Sequence, residues 1–489
     1  MKQIRSILIV GGGTAALIAA LMLKRKLNLK IDVVHSANIG TIGVGESSTE
    51  HWRDFCEFIG INQIEALVEC NATYKAGIRF KGWTKNGDWI HHVNKEYSKK
   101  WGQYAPVYAR QIANNDPYMA PEHYVNDKLP KWLLNKPEIW PANQFNFDTF
   151  KLGEYLTKIA KSIGVNFYDD KIIDVSLNDQ GEISTVKGEK STYDYDFYFD
   201  CTGFQRILMN KLGGEWESYS QYLKTNTAIV FPTGDADNYE TSVTAQAMDH
   251  GWMFRIPTWG RYGNGYVFDK NHITPDQAKE EVERKLQKEI DVRKVISFDP
   301  GHLKSAWIKN CCAIGLSSSF VEPLEATSIS TTIQQAFLLM HYLPQYDDST
   351  IKTYNKKFTS LLENIRDFII LHYLVDRKDT EFWKEASSVD LPDSLAYNLE
   401  IWKHRLPIYE DFSDVTRYIL FGADNFTIIL AGLNHFNRDS IRKELELQSP
   451  ELIREAERIV HQLKQNDSND VYMKHKDFIR LTREYYNAN

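Results

Sequence analysis

Four short stretches carry residue types that could do chemistry. Gly11, Gly13 and Ala16 stand at the G-x-G-x-x-G/A spacing, directly after the apolar run Ile7-Leu8-Ile9-Val10. In a strand–turn–helix unit this spacing lets the chain turn tightly, brings backbone against a pyrophosphate and aims helix amides at the anion. An ordinary glycine-rich turn is the alternative. Gly43 and Gly45 lie in a second short loop ending at Glu46, either backbone laid against a ligand or a plain βα loop. Lys75 sits among small and apolar neighbours at the start of a strand pattern, although most lysines are simply solvated. Glu322 and Glu325 precede Thr327 and Ser328 at a predicted helix start, which makes either an anion or cofactor site or a capped helix with surface acids.

The elements that must position these residues can be read in order. Ile7–Val10 is a buried strand and Ala15–Leu23 a helix packed on its sheet. Ile31–Val34 is the second strand. The acidic residue that usually ends it, to hold a ribose hydroxyl, is replaced by His35, and Asp32 falls too early. Ser48 or Thr49 is expected to cap a helix burying Trp52, Phe55 and Ile59. Residues 84–145 show little periodicity and read as an irregular, aromatic-rich cap over a pocket. Asp148 leads into a helix through Leu152, Tyr155, Leu156, Ile159 and Ala160. Strands follow at Val165–Tyr168, Ile172–Val175 and Phe197–Asp200, the last ending in Cys201-Thr202-Gly203. Trp252, Phe254 and Ile256 lie on one face of a hairpin, with Gly263 and Gly265 as its turn glycines. A buried strand reaches Gly315, Pro323 breaks the chain, and from about Tyr342 it is mostly helical, with Ser449-Pro450 starting one late helix.

Composition narrows the class. With 58 basic against 65 acidic residues among 489, no nucleic-acid partner is indicated. Hydrophobic residues at 43% suit a globular core, and aromatics at 13% suit either a large aromatic core or the enclosure of flat ligands. Five cysteines, Cys56, Cys70, Cys201, Cys311 and Cys312, show neither disulfide nor zinc spacing, which points to a reducing cytoplasm and no metal. Residues 2–23 superficially resemble a signal peptide, but three glycines and a basic run without a cleavage site favour strand–turn–helix. No apolar run is long enough to span a membrane.

Taken together, Gly11-Gly12-Gly13-Thr14-Ala15, Gly43-Val44-Gly45-Glu46, Lys75, Asp200-Cys201-Thr202-Gly203, Trp252-x-Phe254-x-Ile256-Pro257 and Phe320-Val321-Glu322-Pro323-Leu324-Glu325-Ala326-Thr327 resemble the flavin-dependent halogenases of the tryptophan-halogenase-like family, in family order over residues 1–335. The chain is similar to the broad bacterial and phage-type members. The resemblance implies an α/β fold. A Rossmann-like FAD-binding box lobe with mixed sheets would span 1–341, carrying the substrate-cap insertion at about 84–145, and a helical C-terminal lobe would span 342–489. It implies FADH2 from a separate, transient flavin reductase, which with O2 and halide yields hypohalous acid that a tunnel carries to Lys75, with Glu325 close by, for halogenation of an electron-rich aromatic such as an indole or phenol.

By the same resemblance FAD would touch Gly11, Gly13, Thr14, Ala15 and Ala16. It would also touch the strap Ile42, Gly43, Val44, Gly45 and Glu46, and then Gly203, Gly315 and Leu316. Halide would sit at Thr327 and Ser328, and substrate against Phe80, His92 and Pro323. The pattern leaves room for self-association. The lysine ammonium can hydrogen-bond hypohalite, or its amine can form a haloamine, and a carboxylate can stabilise the charged ring and accept its proton. Departures from the family pattern are Phe254 at the second aromatic of the Trp-x-Trp-x-Ile-Pro motif, Ala326 for a serine, Ser328 for a glycine, and His35. A flavin-dependent monooxygenase and a non-catalytic flavin-binding protein are the competing readings.

Overall fold

A computed structural model of the chain describes residues 2–40, 43, 45–85, 87–92, 100–116, 119–134, 140, 144–412, 419–464 and 470–488. The apolar run becomes the strand Ser6–Val10 and the glycine turn opens the helix Thr14–Lys26, of which Ala16 to Leu23 are all buried. Ser6–Val10 lies inside a six-stranded sheet in the order 166–169, 30–35, 6–10, 197–200, 311–313, 307–308. All neighbours are parallel except the last pair. Both faces of such a sheet are covered at its centre, so the inner strands Ser6–Val10 and Phe197–Asp200 are buried along nearly their whole length, while the edge strand Asn166–Asp169 is mostly exposed.

A second sheet of seven strands runs 294–297, 227–233, 261–268, 251–258, 242–247, 77–84, 87–92. It is antiparallel except where Ser242–Ala247 pairs with Gly77–Thr84. A third, small sheet joins the two halves of the site. Its middle strand Gln144–Phe147 takes Glu46–Ser47 on one side and Thr73–Lys75 on the other. The largest apolar cluster is continuous from Ile7 and Leu17 of the glycine-loop unit to Phe368, Ile369, Phe426 and Phe478 of the late helices.

Several expectations change on folding. Gly263 and Gly265 are not turn residues. They lie inside the strand Arg261–Phe268, and the turn is Trp259-Gly260. A Cβ on Gly265 would come within 2.3 Å of the Phe254 ring, so this glycine makes room for an aromatic on the opposite strand. Residues 84–145 are not irregular throughout. They include the strand Gly87–His92 and the helix Trp101–Ala113, whose aromatic and proline content masked its period. At the start of the helix His51–Ile59 the N-cap residue Glu50 makes no side-chain cap, but Thr49 Oγ1 accepts the His51 amide at 3.4 Å. Ser48 Oγ instead donates to the Phe145 carbonyl, and Thr49 Oγ1 meets Ser330 Oγ at 2.7 Å. Asp148 and Ser449 do cap their helices, each accepting first-turn amides. The five cysteines are free, and no helix among the described residues is long and apolar enough to cross a membrane.

Candidate active site

At the carboxyl end of the parallel sheet, Gly11 has φ +121° and a Cβ there would fall 2.2 Å from the Cys201 carbonyl oxygen. Gly315, at φ +68°, lies so close to Ala15 that its Cβ would stand 2.4 Å from the alanine methyl. These two glycines serve packing of the turn. Gly13 differs, because a Cβ on it meets no protein atom within 4 Å. It borders an open groove of about 700 Å³ with Gly12, Thr14, Thr149 and Lys158. The helix behind it starts without a side-chain cap, which leaves its first amides without a capping acceptor. An uncapped helix start and an open glycine backbone fit the pyrophosphate of a dinucleotide.

Of the other residues expected at the cofactor, Thr14 lines this crevice, and the rest lie on neighbouring turns. Gly203 and Leu316 are on adjoining turns, tied by Ser317 Oγ donating to the Gly203 carbonyl at 3.0 Å. Thr14 Oγ1 donates to Glu46 at 3.3 Å. Loss of solvent pushes the Glu46 carboxyl up to about 7, against that hydrogen bond. Gly43 abuts Thr149, and Gly45 lies against Ile256 and Gly263 of the Trp-x-Phe-x-Ile-Pro hairpin. Ile42 and Val44 lie outside the described residues. Asp32 is buried and committed to Asn166 at 2.8 Å and to the Tyr195 hydroxyl, so it is a sheet residue rather than a ribose partner. His35, at the end of its strand, stands over Gly12.

Lys75 and Glu325 come together in a different place. Both line a small closed cavity of about 10 Å³ with Thr49, Glu50, Ile78, His91, Gln144 and Asn425, room for about one water molecule. Lys75 is 1% exposed and its Nζ donates to the Ser48 carbonyl at 2.9 Å. Burial lowers its ammonium to about 8, against the pull of Glu325 and Glu50. Glu325, also buried, accepts from His91 Nδ1 on Oε2 at 2.7 Å and meets His372 Nε2 on Oε1 at 3.1 Å. Burial alone would raise its carboxyl, but the two imidazoles prevail and hold it below the ordinary carboxylate range.

Glu325 and Ala326 both adopt left-handed backbone, at φ 64° and 56°. Such strain in consecutive non-glycine residues persists only where surrounding contacts impose it, and it collects at functional sites. It turns the Glu325 side chain towards the histidines. The helix Thr327–Tyr342 then begins with no side-chain cap. Thr327 is buried at its first turn, while Ser328 is exposed.

Glu322, the other carboxylate of this motif, is turned away. It accepts from Thr225 at 2.6 Å and Tyr373 at 2.9 Å, and burial raises it to about 7. Phe80 is one layer behind the cavity, stacked on Trp89 with centroids 4.8 Å apart and beside the His372 ring. His92 is buried with neither ring nitrogen hydrogen-bonded, and burial lowers it to about 3. Pro323 opens the turn, its carbonyl accepting the Ala326 amide. Sequence reasoning missed His91, His372 and Asn425. His91 had no signal beyond a histidine pair on a strand, and His372 ends a 25-residue helix that shows only an apolar face.

Comparison with known proteins identifies the family. The family described as tryptophan halogenase matches residues 6–443. The tryptophan 6-halogenase of Streptomyces toxytricini is 32% identical over 444 residues, 83% of this chain and 85% of that protein. The tryptophan 7-halogenase of Lentzea aerocolonigenes is 29% identical over 479 residues, 88% of this chain and 90% of that one. Among solved structures, a flavin-dependent halogenase from Xanthomonas campestris superposes with a TM-score of 0.80 at 26% identity, covering 98% of each chain. The chain therefore belongs to the tryptophan halogenase family of flavin-dependent enzymes.

Proposed function

We propose that the protein is an FADH2-dependent halogenase that uses O2 and halide to halogenate an electron-rich aromatic, an indole such as tryptophan or a phenol. The observation that carries this is the shared cavity of Lys75 and Glu325, two buried and oppositely charged groups away from the glycine crevice. Reduced FAD bound at the crevice would supply hypohalous acid. The protein's part is then to protect and aim that reagent. Glu46, the last strap residue, and Ser47 after it pair with Phe147 and Asn146, and Gln144 of the same strand pairs with Lys75, so one small sheet links the two places.

Lys75 donates to the reagent from a pocket closed to bulk water, where a hydrogen bond to it has little competition. Glu325, ionised by its histidines, stabilises positive charge growing on the ring and takes up the proton it loses. Amides at the uncapped start of Thr327–Tyr342 are the halide donors, and Phe80, His92 and Pro323 are the residues the aromatic substrate would lie against.

The test is an assay for halide-dependent product with a separate flavin reductase, using tryptophan, indole and a phenol as acceptors. Halogenated product requiring both reductase and halide supports the reading. Hydroxylated product driven by NADH without the reductase would replace it with a monooxygenase, and tight flavin binding without any turnover would replace it with a binding protein.

A further inference from the structure

Glu325 is expected to face Lys75, yet its two oxygens are already engaged by histidines from elements far away in sequence. The proton positions on those histidines follow from their other partners. Asn425 is fixed first. Its Oδ1 accepts the Gly422 amide at 2.8 Å, so its Nδ2 must be the atom 3.3 Å from His91 Nε2. An amide NH2 only donates, so His91 Nε2 is bare and its single proton is on Nδ1, 2.7 Å from Glu325 Oε2.

His372 has the opposite situation. Its Nδ1 is 2.7 Å from the Phe368 carbonyl, an acceptor only, so Nδ1 carries a proton. Its Nε2 then shares one proton with Glu325 Oε1 across 3.1 Å. The two histidines are therefore not equivalent. His91 Nε2 faces an amide donor, whereas His372 Nε2 faces a carboxylate oxygen.

We propose that His91, locked in its Nδ1–H form by Asn425, is a positioning residue that holds Glu325 ionised and oriented towards the Lys75 cavity, while His372 shares the proton on the other oxygen. This rests on the reading that Glu325 serves the aromatic substitution. The charged and titratable groups facing Glu325 are His91 on the strand Gly87–His92, His372 on the helix Asp348–His372, Lys75 on the strand Thr73–Lys75, and Glu50 before the helix His51–Ile59. On this inference an acid limb of product formation is expected to follow Glu325 and an alkaline limb Lys75.

The experiment compares His91→Phe, which keeps a flat ring and removes the donor, with His91→Asn, whose amide nitrogen takes the place of Nδ1. Full-length proteins are assayed with a flavin reductase, bromide and indole from acid to alkaline pH, with O2 consumption recorded alongside. In His91→Phe the acid limb is expected to move up by about one pH unit, the effect of one lost hydrogen bond to a charged group. The rate constant kcat falls about tenfold with KM and O2 consumption unchanged. His91→Asn restores the limb. In wild-type protein carrying ¹⁵N-histidine, the resonance lost on His91→Asn substitution is expected to show a protonated Nδ1 and a bare Nε2, a readout independent of activity.

Loss of stability without movement of the limb would make His91 a packing residue and overturn the inference, as would an Nε2–H or doubly protonated His91 in the wild type. Glu325→Gln separates the two levels. If it is impaired while His91→Phe matches wild type, only the inference falls. If Glu325→Gln itself turns over like wild type, the underlying role of Glu325 falls as well.

Discussion

The glycine crevice and the Lys75 cavity are built on opposite principles. The crevice is open, about 700 Å³, and its key features come from one contiguous run in which turn, helix start and bare backbone follow within a few residues. The cavity is closed, about 10 Å³, and draws Thr49, Lys75, His91, Gln144, Glu325 and Asn425 from widely separated segments. The crevice sets the bare backbone and uncapped helix start of the glycine turn beside Glu154, Lys158 and Lys161 at its exposed rim, which suits holding a large anion. The cavity is dominated by buried charge, at a desolvation cost that packing alone would never select. Recognition can therefore be carried by local backbone, while a reactive step needs side chains that only the whole fold can bring together.

The most severe break should be in the cavity. Lys75→Ala is expected to lower halogenated product by on the order of 10³-fold or more, within the range for a positioned proton-bearing group, while FAD binding and oxidation of reduced flavin by O2 continue. Product and oxygen consumption measured side by side decide this, and wild-type levels of both would remove Lys75 from the chemistry. Glu325→Gln should cost less, on the order of 10²–10³-fold, because one electrostatic contact is lost and the donor of the halogen is kept; single-turnover rates with saturating indole would show it.

The cavity's charge should also be visible as a stability penalty. Lys75 is lowered from 10.5 to about 8, so the unfolded chain holds this proton more tightly than the folded one. The penalty is complete below about pH 8 and is relieved as the pH rises towards 10.5. Lys75→Met should consequently be more stable than wild type at pH 7 by up to about 3 kcal/mol, and the gap should narrow above pH 8. Urea midpoints at pH 7 and pH 10 test it, and a Met variant less stable at pH 7 would show that the ammonium is better solvated than its burial indicates.

The crevice should break differently. In Gly13→Val the fold is expected to survive, since the added Cβ meets no protein atom, but the side chain enters the groove. FAD should bind at least tenfold more weakly, about 1.4 kcal/mol, with an unchanged melting temperature in the absence of flavin. Normal affinity, measured by fluorescence quenching, would show that the pyrophosphate lies elsewhere.

What was legible in the sequence follows the same division. Strand, turn and helix at Ile7 to Leu23, the strand ending at Asp200, the helix entered at Asp148 and the helix start at Thr327 are local events, decided by residues a few positions apart. Their order along the chain was enough to indicate the family. The glycines at 263 and 265 misled, because a glycine inside a strand and a glycine in a turn look alike until the opposite strand supplies Phe254. The helix Trp101–Ala113 was hidden because aromatic and polar residues around a buried helix blur its period.

The sequence alone determined where backbone would be bare and where chains would turn, since those depend on side chains absent or present at a single position. Only tertiary structure decided that Glu325 would take a left-handed conformation, that its oxygens would meet His91 and His372 rather than solvent, and that Lys75 would be sealed beside it. Hydrogen-bond partners and burial are properties of the space around a group. For these residues that space is filled by strands and helices up to some 350 positions away, as Lys75 and Asn425 show by sharing one cavity.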